Sequence, residues 1–385
     1  MNGVDVSGSL MGTRRFRPSW LTIDDGALKR NITKLCSLAG DARYCAIVKA
    51  NAYGHGALRV AEAAVECGAG MLGVATLEEA VELREGGIDA PILLLSEPSE
   101  EVLADPYSPL LSYGIETTVY SEVGIVALDG AACAHGTVAP VHLKVNTGMN
   151  RVGVQPEYVL ALAKRIVVGE GLRLAGVCSH FAMADTPDDS FTLLQADRFD
   201  AALDLLASEG ISTGVRHLAN SAGLLSDPVR YRYDMVRCGI AQYGFSPSAA
   251  LAGRLCLEPV LSLRSRLAFV RRLRAGEGIS YGHQHVVDRS TWIGTVPLGY
   301  ADGVLRSLSG RVNVLVRGVP RPIVGNITMD QFMVDLGEAG GDVGDEVVLL
   351  GRQGEVEITA QDWALALDTI SYEILCGIGE RVPRE

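Results

Sequence analysis

The chain lacks the features by which several classes of protein are recognised. No run of 18 apolar residues occurs in its 385 residues, so no membrane-spanning helix is expected. The first 18 residues contain no apolar stretch of signal-peptide length, and the expected compartment is the cytoplasm. No CxxC pair is present: the eight cysteines, Cys36, Cys45, Cys67, Cys133, Cys178, Cys238, Cys256 and Cys376, lie too far apart for a zinc site. In a chain too long to need disulfide staples, most of them are expected to be reduced core residues. Positive charge is also scarce, with a formal net charge of -12, so neither nucleic acid nor an anionic membrane is an expected partner. The densest basic group, Arg264, Arg266, Arg271, Arg272 and Arg274, is interleaved with Leu263, Leu267, Phe269, Val270 and Leu273, which suits strands with a solvated side.

What is present is apolar mass. Hydrophobic residues make up 48% and charged residues 21%, the composition of an ordinary globular protein with a sizeable core. The length exceeds one typical domain, although an α/β barrel can absorb about 250 residues alone. A barrel with a smaller companion therefore fits. The leading residues 1–18, rich in Gly and Ser, read as a flexible extension.

Short β-rich runs recur at 44–49, 71–75, 91–95, 116–120, 141–145, 172–177, 215–219 and 234–238, separated by helical patterns. One such helix should start at Thr76, with Glu79 completing a capping box, and stop at Gly86 and Gly87. Regular alternation of strand and helix implies parallel strands with crossover helices, and eight units imply a (β/α)8 TIM barrel. Beyond Pro259, valine-rich runs punctuated by Gly and Pro read as a mainly antiparallel β domain. The expected division is barrel over 19–255 and β domain over 256–385. The stretch 18–24 can begin the barrel or add a strand to the other domain.

Chemistry in such a barrel sits on the loops after the C-terminal strand ends. Lys49, Lys144, His180, Asn220 with Ser221, and Arg237 all follow strands in that way. Lys49 opens the run Lys49-Ala50-Asn51-Ala52-Tyr53-Gly54-His55-Gly56. Burying an ammonium at a strand end is costly, which favours the neutral amine that a Schiff base requires. A lysine in this place can also simply reach out to solvent.

This run resembles the pyridoxal 5′-phosphate (PLP) lysine motif of the alanine racemase family. The resemblance continues in the same order through Leu143–Arg151, Ser179-His180-Phe181, His217–Ala222, Val236–Ile240, Ser280-Tyr281-Gly282, Pro297–Gly303, Thr328–Gln331 and Ser371-Tyr372-Glu373. It spans roughly residues 19–384.

The resemblance implies that Lys49 bonds PLP and acts as one of two bases, with Tyr281 from the partner subunit of a homodimer as the other. Two bases on opposite faces are what inversion at a carbon requires. It places Arg237 against the pyridine nitrogen of PLP and His180 against its ring. It assigns the phosphate to Tyr53, Asn220, Ser221, Tyr372 and the backbone of Gly239 and Ile240. His217 is expected to hydrogen-bond Tyr281 and link it to Arg237. Arg151 and Met329 are implied to meet the substrate carboxylate, Lys144 to carry a carbamate that orients Arg151, Tyr300 and Tyr372 to narrow the entrance, and Asp330 to support them. No metal is implied.

The implied activity is interconversion of L- and D-alanine, with D-alanine serving peptidoglycan synthesis. Three departures lie around the substrate end: Asn146 where aspartate is frequent, Gly325-Asn326-Ile327-Thr328 before Met329, and His283 and His285 after Tyr281. They leave open a broad-specificity or serine-preferring racemase on the same scaffold. A PLP-dependent decarboxylase would call for a carboxylate in place of Arg237 and a glycine-run phosphate loop. A PLP-binding regulatory protein would be a lone barrel, without the β domain that carries Tyr281.

Overall fold

The computed structural model describes residues 17–105, 108–186 and 190–385. Most of the leading extension, residues 1–16, lies outside them. Two compact units are present among the described residues: Asp24–Val260, and a second that combines residues 17–23 with Leu261–Glu385.

Strand β1 covers Ser19–Ile23. The barrel unit then contains β2 (Arg43–Ile47), β3 (Met71–Val74), β4 (Ile92–Leu94), β5 (Glu116–Val119), β6 (Ala139–Lys144), β7 (Leu172–Cys178), β8 (Val215–His217) and β9 (Met235–Cys238). These coincide with the eight expected runs. All are parallel, in the order β8-β7-β6-β5-β4-β3-β2-β9. Between β8 and β9 the gap is bridged by Asp234 N donating to Arg216 O (3.0 Å) and Arg237 N donating to Ala219 O (3.0 Å). Most residues of these strands are buried, and β3 and β4 are continuous apolar runs, as parallel strands covered on both faces tend to be. Thr76 and Glu79 form the expected capping box of helix Leu77–Glu85, which ends at Gly86. No long helix follows β9 before the unit ends. Helix Asp25–Ala39, which precedes β2, takes that place and is tied to the segment after β9 by Asn31 Nδ2 donating to Gln242 O (3.2 Å) and Glu258 O (2.7 Å).

The second unit is antiparallel, as expected. Its strands are β10 (Leu261–Arg266), β11 (Phe269–Leu273), β12 (Gly278–Ile279), β13 (His285–Val286), β14 (Thr291–Val296), β15 (Asn313–Val316), β16 (Val319–Val324), β17 (Phe332–Gly337), β18 (Glu346–Gln353) and β19 (Val356–Ile358). The main sheet runs β1-β10-β18-β15-β16-β17-β14-β11. Placing residues 19–23 with the barrel is therefore corrected: β1 pairs antiparallel with β10, Leu21 opposite Leu263, and the division falls after Val260 rather than at 255. The physical reason is that Trp20, Leu21 and Ile23 bury against this sheet, where Leu21 N also donates to Pro383 O (2.8 Å). Along β10 burial alternates as the arginine pattern implied, whereas β11 is a largely exposed edge strand with Phe269 outward.

The cysteine reading is also corrected. All eight are free, but only Cys45, Cys178 and Cys238 are buried, because these alone lie on inner strands.

Candidate active site

The end of β2 is built around an unusual turn. Ala50, Asn51, Ala52 and Tyr53 all have φ between 49 and 54°, a left-handed turn directly after Lys49. Each non-glycine residue there costs roughly 1–2 kcal/mol relative to the right-handed form. Side chains hold it: Glu79 Oε1 accepts from Ala50 N (2.6 Å), Asn51 Oδ1 accepts from Ala57 N (2.7 Å), and His55 Nδ1 donates to Ala52 O (3.0 Å) and Tyr53 O (2.9 Å). Strain maintained in this way marks a position where backbone direction matters. Spacing along the chain carried no sign of it.

Tyr53, at the end of the turn, is buried with its ring 4.8 Å from that of Tyr243. Its hydroxyl lies 2.5 Å from where a Cβ on Gly239 would stand, so only glycine fits there. Ser221 Oγ accepts from Gly239 N (3.0 Å) and Ala241 N (3.4 Å), and Ile240 is buried beside them. Tyr53, Ser221, Gly239 and Ile240 are thus one cluster. Asn220 Oδ1 accepts from Gly223 N (2.9 Å), and its Nδ2 lies 3.5 Å from His180 Nε2.

Arg237 is buried. One terminal nitrogen meets His217 Nδ1 (2.7 Å); the other donates to Ser179 O (2.7 Å) and Leu218 O (3.1 Å) and faces His180 Nδ1 (3.1 Å). Burial, followed by the charges of Arg237, Lys144, Arg151 and Lys49, holds His180 well below the ordinary imidazole range, so it is neutral. Lys144 is lowered too, by burial first and then by Arg237, Arg151 and Lys49, against an opposing effect of Cys178. Lys144, Arg151, Asn146, Met149 and His180 line one pocket. The loop leading to Arg151 is organised by Asn146, whose Oδ1 accepts from Gly148 N (3.2 Å) and Asn150 N (3.0 Å).

The role expected for His217 needs correction. It is fully buried, and both ring nitrogens are occupied, Nδ1 by Arg237 and Nε2 by His142 Nδ1 (2.7 Å). No atom remains for Tyr281. His180, with one nitrogen toward Arg237 and the other toward Asn220, is the histidine placed near the surface of this network.

Five expected residues lie on the second unit: Tyr281, Tyr300, Met329, Asp330 and Tyr372. Tyr281 is 71% exposed on a short turn after Ser280, whose φ is 61°. Asn326 Nδ2 donates to Tyr281 O (2.7 Å), and Ser280 Oγ to Asn326 O (2.8 Å). Tyr300 N donates to Thr328 O (3.0 Å) and Ala301 N to Met329 O (3.1 Å), a close approach that Gly299 permits, since a Cβ there would lie 2.2 Å from Thr328 O. Asp330 accepts from Arg381 (2.8 Å), and Tyr372 is half-buried on helix Ser371–Cys376. Asp302, overlooked in the sequence, is fully buried and accepts from both terminal nitrogens of Arg17 (3.1 and 2.7 Å) and from Gly299 N (3.0 Å).

Two family models match in succession: the alanine racemase N-terminal domain over residues 23–247 and the C-terminal domain over residues 260–385. The chain belongs to the alanine racemase family. Its relatives include the alanine racemases of Symbiobacterium thermophilum, 46% identical over 96% of this chain and 97% of that one, and of Mycolicibacterium smegmatis, 43% identical over 94% and 93%. Among solved structures, the alanine racemase of Streptomyces lavendulae superposes with a TM-score of 0.91 at 42% identity, covering 96% of this chain and 97% of that one. That of E. faecalis gives 0.90 at 41%, covering 96% and 98%. As a member of the alanine racemase family the protein is an amino-acid racemase with a barrel and an antiparallel C-terminal domain. No helix among the described residues is long and apolar enough to cross a membrane.

Proposed function

We propose that the protein interconverts L- and D-alanine with PLP, using Lys49 and the Tyr281 of a partner subunit as the two bases. The observation that carries this reading is the charge around His180: Arg237, Lys144, Arg151 and Lys49 all act on it, and all are cationic. Such a site calls for anions, and a phosphorylated cofactor together with an amino-acid carboxylate supplies them. The cluster of Tyr53, Ser221, Gly239 and Ile240 suits the phosphate. When bound, PLP supplies the electron sink that makes the α-proton acidic.

The residues then divide the work. Lys49 holds the cofactor and takes or returns a proton on one side. Tyr281 serves the opposite side. In one chain its exposure, with that of Met329 (53%) and Tyr300 (41%), suits a surface covered in a homodimer. Arg237 has only donors, so it orients a ring nitrogen without readily giving up a full proton to it. This limits how long charge stays on the substrate and disfavours side reactions. His180 Nε2, whose contact with Asn220 is loose at 3.5 Å, would donate the link to Tyr281 in place of His217, its Nδ1 accepting from Arg237. Arg151 with its forked donors suits a carboxylate, and Lys144, whose ammonium burial destabilises, suits carbamate formation. The proposed setting is cytoplasmic, with D-alanine passing to peptidoglycan.

Exchange of the α-proton in D2O, followed by NMR with PLP and a panel of L-amino acids, tests this. Fast washout from alanine, with D-alanine appearing, is expected; faster washout from serine would point to the serine-preferring alternative, and none from any amino acid would refute racemisation.

A further inference from the structure

A row of polar side chains crosses the barrel interior, where branched apolar residues ordinarily pack. β5 begins with Glu116, β6 carries His142, β8 ends on His217, and β9 carries Arg237. His142, His217 and Arg237 are buried. The contacts are continuous: Arg237 to His217 Nδ1 (2.7 Å), His217 Nε2 to His142 Nδ1 (2.7 Å), and His142 Nε2 to Glu116 Oε2 (2.9 Å). β7 stands between β6 and β8, and the histidines meet across it because Gly176 has no side chain. A Cβ there would lie 2.4 Å from His142 Nδ1 and 2.6 Å from Val215 O.

The two ends dictate the direction of every bond. A guanidinium only donates, so His217 Nδ1 must accept and its proton sits on Nε2. That proton is donated to His142 Nδ1, which leaves the proton of His142 on Nε2 for a carboxylate that only accepts. Both imidazoles are neutral, and a second proton on either would set one N–H against another. Burial first, and then the charges of Arg237 and Lys144, push His217 well below the ordinary imidazole range. Burial pushes the Glu116 carboxyl up, but the hydrogen bond from His142, with the charges of Arg173 and Arg43, outweighs it and leaves the carboxyl below its ordinary value.

We propose that Glu116, His142 and His217 form a one-way hydrogen-bond chain that holds the Arg237 guanidinium fixed and donating toward the reaction centre, making Glu116 and His142 positioning residues for racemisation. The proposal rests on the role given to Arg237 above. A neutral imidazole against the guanidinium orders it without neutralising it, and the remote carboxylate fixes the tautomers. A carboxylate bonded directly to Arg237 would instead compete with any other acceptor.

The test compares Glu116→Gln, Glu116→Met and His142→Leu with the parent, each as the full chain with and without PLP. Nitrogen-15 NMR of the histidine rings reads the tautomers, and circular dichroism checks folding. In the parent the lone ring proton of His142 and of His217 should sit on Nε2, and His217 should stay neutral from about pH 6 to about pH 9, across the ordinary imidazole transition. Glu116→Gln, whose amide oxygen can still accept from His142, should keep that pattern and most of the turnover. Glu116→Met, which takes the acceptor from the His142 Nε2–H, and His142→Leu, which takes it from the His217 Nε2–H, should shift the Nε2 resonance of that histidine, shift the visible absorbance of bound PLP, and lower kcat by roughly 10–100-fold with little change in KM. Parental His217 protonated on Nδ1 would overturn the proposal. So would equal losses in Gln and Met variants, or folded Met and Leu variants that match the parent in Nε2 resonance, absorbance and kcat. A variant that does not fold leaves the parental tautomers and Glu116→Gln to decide. A parent that binds no PLP would defeat the proposed function, while the tautomers of the protein alone would still support or overturn the chain.

Discussion

The two units present their functional groups in opposite ways. In the barrel, Arg237, His217 and Ser221 are buried and locked by side-chain hydrogen bonds that are complete within the unit. In the second unit Tyr281, Met329 and Tyr300 are exposed, and what is fixed is their backbone, through Asn326 and the Thr328–Met329 carbonyls. The first arrangement organises its chemistry before anything binds. The second offers side chains whose environment must come from outside the unit, and the contrast predicts where mutations will act on cofactor, on rate or on stability.

The largest effect should come from Lys49→Ala, which should abolish both racemisation and the visible absorbance of lysine-bound PLP; a spectrum that survives would break the assignment of the barrel as the cofactor unit. Tyr281→Phe removes a group from the exposed set, so cofactor content should be retained while turnover falls roughly 10²–10⁴-fold, the usual worth of a general acid or base. Full activity in that variant would remove the second unit from the chemistry. Gly176→Ala probes the locked interior: the added methyl meets His142 and a carbonyl, and overpacking of this kind costs about 1–3 kcal/mol, readable as a lower midpoint in urea. An unchanged midpoint would mean the interior is less tightly held than the distances indicate.

The smallest effect concerns the barrel rim. Hydrogen bonds from Arg30 and then Lys34 pull the Glu258 carboxyl from 4.5 down to about 2. A carboxyl lowered on folding stabilises the protein above its unfolded value, and that contribution disappears as pH falls toward 2. The small difference in Tm between the parent and Glu258→Gln should therefore be present at neutral pH and vanish in acid. A difference that persists unchanged at the acid end would mean that the exposed ion pairs contribute nothing through charge.

The barrel was legible because its signal is local. Inner strands covered on both faces are mostly apolar, so runs such as 71–75 and 91–95 stand out without knowledge of their neighbours. Lys49, Lys144 and Arg237 were legible for a related reason, as polar residues closing such runs. Their partners were not. His142 shares a strand face with Lys144, two residues on, and that period-of-two placement is the one signal that could have pointed to it. Nothing along the chain pairs His142 with His217 across 75 positions, and so of the contacts of His217 the one with Arg237 was expected, while His142 stands where Tyr281 was expected. Likewise, the residues of β1 read as a strand, but the pattern of five residues does not say which sheet will accept it.

What the sequence by itself determined was element type and the residues able to do chemistry, since both follow from side-chain character and spacing. Only the tertiary structure decided which strand β1 joins, that Gly176 opens a path between two histidines, and in which direction the protons from Arg237 to Glu116 must point. Those are properties of atoms brought within hydrogen-bond distance from remote parts of the chain, and distance along a sequence does not encode them.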